Sequence, residues 1–269
     1  MLFKFYMTDE TKMGPSAVTL HRIVAARDFG NVKRGDFGGW IERAENLSQS
    51  GNCWIAENAI VTGESIVSED ALVKESAIVE GSCRVFGDAV VGEQAHLKGS
   101  VYVYDHAEVG ADSFLGEQSS VYGNATVFCV PRSTNSGKSC GYNIAGHAMI
   151  RGHAMIRGRA SIRGKAVIDG EATISESARV FENAHVDGNA AIRGAASASG
   201  DAWVTGDAVV RDRAGVAGTA HVGGKTILSG RTVVTGRAER FGKCEIRDFN
   251  VSGDGSLVYN RKSEANVGA

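Results

Sequence analysis

Arg157, Arg193, Arg211 and Arg247 are separated by multiples of 18 residues, and Ser175 and Ser229 fill the remaining places in the series. If the chain repeats its geometry at that interval, these side chains form one outward column. Guanidinium groups so arranged can hold an anion through charge-assisted, bidentate hydrogen bonds. Pairing with nearby Asp and Glu, or plain solvation, is the competing fate of such arginines. A second series at the same interval reads Val167, His185, Trp203, His221 and Glu239. An outward Trp between two His could stack a ring or base, or could lie in a subunit contact. His185 and His221 fall two repeats apart, roughly 10 Å, which is far for one shared metal ion; no metal is expected. Phe86, Tyr104 and Tyr122 make a third ladder, and His147, Arg151, His153, Arg157, Arg159 and Arg163 gather a local basic collar.

These columns require an element that repeats every six residues. Every sixth residue from Cys53 to Ala125 is small except Val101, and two residues after each stands Ile, Val or Leu, from Ile55 to Val127. A second run extends from Ala148 to Cys244, its aliphatic place running from Ile150 to Ile246 with Ala198 and Arg240 as exceptions. A helix cannot keep a six-residue apolar period on one face, whereas in a strand residues two apart share a side. Glycines such as Gly152, Gly158, Gly164 and Gly170 then turn the chain. Three hexads make one triangular coil of 18 residues, so the expected fold is an all-β, single-stranded parallel β-helix of about ten coils. Each inward Val or Ile contributes on the order of 2 kcal/mol on burial.

The domain reading follows: 1–52 an N-terminal β-rich cap, 53–128 the first part of the helix, 129–147 a protruding loop, 148–249 the second part, and 250–269 a C-terminal tail. The cap region holds Phe3, Phe5, Tyr6, Phe29, Phe37 and Trp40, suited to covering an otherwise open sheet edge. The loop carries Arg132 and the stretch Ser136-Gly137-Lys138-Ser139. That stretch resembles the end of a phosphate-binding loop but lacks the upstream glycine, which leaves a polar, anion-friendly loop or a tolerated insertion.

Composition excludes several classes. A formal charge of −2 gives no global field for a nucleic acid polymer, so an anion site must come from local clustering. With 35 glycines and 2 prolines the chain reads as regular turns rather than disorder. The five cysteines include no C-x-x-C pair. Cys53, Cys83 and Cys244 take the small inward place, Cys129 and Cys140 flank the loop, and free thiols are expected. Residues 1–7 hold one Lys and no long apolar run, so no secretion signal or membrane span is expected and the compartment is read as cytoplasmic. Outward apolar places such as Trp54, Leu72, Val90, Ile60 and Ile78 point to a homo-oligomer.

The small-x-aliphatic hexads resemble the bacterial-transferase hexapeptide repeat, and that resemblance implies the left-handed form of the β-helix. Arg27-Asp28-Phe29-Gly30-Asn31-Val32-Lys33, Gly38-Gly39-Trp40-Ile41 and Gly51-Asn52-Cys53-Trp54-Ile55 resemble the start of the YdcK-type transferases and their phage and prophage relatives. The resemblance implies a homotrimer. It also implies acyl-CoA as co-substrate if the chain is an acyltransferase, with His147 as general base and Lys138, Arg151 or Arg157 on the CoA phosphates. The reading placed first is a non-catalytic oligomeric module, needing no cofactor, that binds an anionic, nucleotide-like small molecule. One version is a phage protein sequestering a host signal. Its candidate ligand residues are Arg132, Lys138, Arg151, Arg157, Arg163, Arg193, Arg211, Trp203, Tyr104 and Tyr122. A rigid assembly part is the third reading.

Overall fold

The computed structural model describes residues 3–130, 143–253 and 256–259, and the chain divides into two units, Met1–His147 and Ala148–Ala269. Both are parallel β-solenoids. In the first, β1 (Phe5–Met13) and β2 (Thr19–Ala25) are antiparallel, and β3 (Phe37–Ile41) pairs antiparallel with β2. The other edge of β3 pairs in parallel with Ile60–Val61, so the cap hands its sheet directly to the coils. Thereafter short strands recur every six residues and each pairs with the strand 18 residues on, as Val90 does with Leu72 and Glu108. Three parallel sheets result, because each coil donates its amides to the carbonyls of the next coil (Trp54 N to Ala71 O, 3.0 Å).

The second unit repeats the plan. Met155–Gly158, Thr173–Ile174, Ala191–Ile192, Val209–Val210, Ile227–Ser229 and Glu245–Arg247 form one of its sheets, in unbroken register. The inward places expected from the hexads are closed to solvent: Ala172, Ile174, Ala190 and Ile192 are 0% exposed. Arg240 occupies an aliphatic place and is nevertheless buried, its Nη1 donating to the Glu239 carbonyl at 2.6 Å. The corners need left-handed backbone. Gly188 has φ of 63°, and a Cβ there would stand 2.9 Å from the amide nitrogen of Gly206. Asp212 takes φ of 64° despite its side chain, and its carboxylate accepts the Gly230 amide at 2.9 Å, a donor the coil-to-coil ladder leaves over.

Four places differ from the sequence reading. Residues 143–147, expected in the protruding loop, are wall: Ile144 bridges Leu115, its carbonyl accepts the Gly116 amide at 2.9 Å, and it is fully buried. Arg132, Lys138 and the Ser136–Ser139 stretch lie outside the described residues. Asn250–Gly253 and Ser256–Tyr259 pair in parallel with Val233–Gly236 and Glu239–Gly242, so solenoid continues where a tail is expected. Trp54, expected on an exposed strip, is 6% exposed because the cap folds over it and Phe29 packs edge-on at 5.4 Å. Finally, Cys129 belongs to a strand and is buried; burial pushes its thiol up to about 12, and that of Cys83 up to about 11.

Lys4 was not singled out by the sequence. It is wholly buried, and its Nζ donates to the Ser50 carbonyl (3.2 Å), the Cys53 carbonyl (3.0 Å) and the Cys53 sulfur (3.0 Å). Burial pulls its pKa below the usual lysine value, and Nζ lies 5.2 Å from the centre of the Phe29 ring.

Candidate functional site

The second unit turns one corner after the strands Met155–Gly158, Thr173–Ile174 and Ala191–Ile192. The residue leaving each strand, Arg157, Ser175 and Arg193, is held in register by the ladder (Ser175 N to Ile192 O, 3.0 Å; Arg193 N to Val210 O, 2.9 Å). Two coils separate Arg157 from Arg193, about 10 Å at the spacing of neighbouring strands. Both are exposed and face one open hollow, which Thr173, Ser175 and Glu176 also line. Among the described residues neither arginine has a carboxylate partner. The hollow thus offers two cationic forks, two hydroxyls between them, and one acceptor, Glu176, at its edge.

The column continues through Arg211, Ser229 and Arg247. Arg211 reaches past the intervening coil to Glu245, with Nη2 3.1 Å from Oε1. Arg247 lies 3.5 Å from Asp248. Of the other arginines expected at a ligand, Arg151 is engaged by Asp169 at 2.6 Å. Burial raises the Asp169 carboxyl, but the Gly170 amide at 2.7 Å and the Arg151 guanidinium outweigh it and hold the group below its ordinary value. Arg163 follows Ser161–Ile162, in another sheet of the unit, and does not share the hollow.

Trp203 is 47% exposed on a third sheet, between His185 and His221. The His185 ring stacks on it at 4.7 Å and the His221 ring meets it edge-on at 5.8 Å. His185 Nε2 lies 3.1 Å from Asp187, and His221 Nε2 lies 3.1 Å from the Thr205 hydroxyl. Burial lowers the His221 pKa below the ordinary histidine value. Tyr104 and Tyr122 belong to the first unit, where Phe86, Tyr104 and Tyr122 stack at 4.9 and 4.7 Å with nearly parallel rings. His147 is exposed in the turn that ends the first unit. Of the expected ligand residues in the second unit, the structure therefore gathers Arg157 and Arg193, keeps Arg211 in their column, and places Arg163 and Trp203 on other sheets. Sequence reasoning passed over Glu176 in the hollow and Arg213 and Arg231 lower on the same corner. Applying the 18-residue interval to the turn positions, as well as to the strands, finds all three.

Among the described residues no three His, Cys, Asp or Glu side chains converge as metal ligands would, and no helix is long and apolar enough to cross a membrane.

No family model matches the chain. The Escherichia coli K12 protein named uncharacterized acetyltransferase YdcK is 45% identical over 64 residues. That is 23% of this chain and 19% of that protein, so the match spans about a fifth of the relative's length. Among solved structures, the UDP-N-acetylglucosamine acyltransferase from Campylobacter jejuni aligns over 61% of this chain and 68% of that one. The TM-score is 0.42 and the identity 18%. The chain is an all-β parallel solenoid similar in part to a protein that carries an acetyltransferase name.

Proposed function

We propose that the chain is a binding module for an anionic, nucleotide-like ligand, seated on the second unit at Arg157, Ser175 and Arg193, and that it works as a homo-oligomer, a trimer in the first instance. The observation that supports this most is the pair of exposed arginines, without an ion-pair partner among the described residues, facing one hollow. A phosphate or pyrophosphate between them would receive charge-assisted bonds from two sides and neutral ones from Ser175 and Thr173. Glu176 would accept a hydrogen bond from a sugar hydroxyl, which favours a nucleotide over a bare inorganic anion. Acyl transfer from CoA is the second reading, favoured by the name of the YdcK match. In it the same arginines would bind the CoA phosphates, and the exposed His147 would be the base.

Native mass spectrometry separates the readings. The purified chain is examined alone, then with nucleotides and CoA thioesters. Retention of an unchanged nucleotide, lost in Arg157→Gln/Arg193→Gln, is the expected result. Turnover of a thioester that stops in His147→Ala would replace it with the enzymatic reading. A monomer that retains nothing would contradict both.

A further inference from the structure

The Arg-Ser-Arg triplet occurs twice along the corner. Arg157, Ser175 and Arg193 are followed, three coils on, by Arg211, Ser229 and Arg247, about 14 Å further along the strand-stacking direction. The second copy differs in one respect that points to a ligand. Ser229 is 1% exposed, yet its hydroxyl has no hydrogen-bond partner, and neither has the buried Nε of Arg211 one coil away. Buried polar groups are ordinarily satisfied, so two orphan donors side by side mark a place for an acceptor. The salt bridge from Arg211 to Glu245 uses Nη2 and leaves Nε over. Ser229 also pairs in register with Arg247 on the next coil.

The surroundings carry the same sign. Arg213 and Arg231, one coil apart, are exposed and without a carboxylate partner among the described residues, and with Arg247 they line one hollow. Asp212 and Asp248 line it too; both carboxylates accept backbone amides, and the second Asp248 oxygen lies 3.5 Å from Arg247 Nε. Asp212 accepts the Gly230 amide at 2.9 Å, and Asp248 accepts the Arg231 amide at 2.8 Å. Gly230 makes this possible, since a Cβ there would collide with the Asp248 carboxylate. The column of Arg157 to Arg247 itself holds no aromatic residue; Phe249, 61% exposed, stands two residues past Arg247 at the turn position that Arg231 and Arg213 occupy one and two coils back.

We infer that Arg211, Ser229 and Arg247 form a second oxyanion seat, and that the two seats together bind a linear ligand carrying several phosphate groups in a row. The joint binding rests on the reading of Arg157, Ser175 and Arg193 as an anion seat; the second seat does not. A pyrophosphate is too short to span about 14 Å, whereas a longer phosphate chain occupies both seats and gains affinity from being tethered at two points.

Calorimetric titration of the full chain with inorganic pyrophosphate, and then with medium-chain inorganic polyphosphate, tests this. Two equivalents of pyrophosphate per chain are expected, and at least tenfold tighter binding of the longer chain. Ser229→Ala removes an unsatisfied buried hydroxyl, so its melting temperature should hold or rise while one pyrophosphate equivalent weakens severalfold. Arg211→Gln/Arg247→Gln should abolish that equivalent and bring polyphosphate down to the affinity of pyrophosphate. One equivalent, removed only by Arg157→Gln/Arg193→Gln, with no advantage for polyphosphate, would overturn the second seat and leave the first standing. Two equivalents that survive in Ser229→Ala and Arg211→Gln/Arg247→Gln would also overturn it. A single-stranded oligonucleotide binding more tightly than polyphosphate would overturn the ligand class, and no binding of either phosphate probe would remove both seats.

Discussion

Ile174 lies inside the second unit with 0% exposure, among Ala172, Ala190 and Ile192, which are equally closed. Replacing it with Ala deletes three carbons, about 2.4 kcal/mol of lost transfer energy at about 0.8 kcal/mol each. The cavity adds to this because the walls cannot fall inward. Thr173 and Ser175 on either side are tied to the next coil through Ala190 and Ile192 carbonyls at 2.9 and 3.0 Å. The total should be about 3–4 kcal/mol, within the usual span for such changes. In Ile174→Val one carbon is lost and about 1 kcal/mol is expected. Urea unfolding followed by circular dichroism and by Trp203, the sole tryptophan of the second unit, gives both numbers. Because each coil touches only its neighbours, the loss should fall mainly on the second unit. A loss below about 1 kcal/mol in Ile174→Ala would refute a rigid, close-packed interior.

Three further outcomes follow from the same geometry. Gly188→Ala should cost about 1–2 kcal/mol in urea unfolding, since the new Cβ must adopt left-handed backbone and crowd the Gly206 amide. Asp169→Asn should be less stable than the parent at pH 7. The folded-state pKa of Asp169 is below its ordinary 3.8, so its stabilisation is complete above 3.8 and disappears as pH falls through the lowered value. Unfolding measured at pH 7 and at pH 3 should therefore show the difference between the two proteins shrinking with acid. Lys4→Met replaces a buried amine that donates three hydrogen bonds. It should strand the Ser50 and Cys53 carbonyls and lower the first unit's melting temperature, which calorimetry reads directly.

The coils were legible because the backbone ladder forces an 18-residue offset, and a narrow triangular interior accepts only a small and an aliphatic side chain per face. Those demands leave a mark at every hexad. What hid was wherever that offset fails. Ile144 meets Leu115 across 29 residues, and Asn250 meets Val233 across 17, so neither keeps phase with the hexads. Trp54 and Lys4 are buried by the cap, whose antiparallel strands obey no hexad. At the candidate site the arginine column was legible by arithmetic alone. The partners of each arginine were not, because a long side chain can choose a carboxylate on its own coil, the next, or the one beyond. Arg151 takes Asp169 one coil on, Arg211 takes Glu245 nearly two coils on, and Arg157 and Arg193 take none among the described residues. Burial of Ser229 has no signature in its own neighbourhood of sequence.

Isothermal titration of ADP into the parent chain, Arg157→Gln/Arg193→Gln and Arg179→Gln tests the central claim most directly. Arg179 is an exposed arginine on another sheet and serves as the control. The parent and Arg179→Gln should bind alike, with an affinity that weakens as salt rises, and the double variant should lose at least tenfold. Equal binding by all three, or none by the parent, would contradict an anion seat between Arg157 and Arg193.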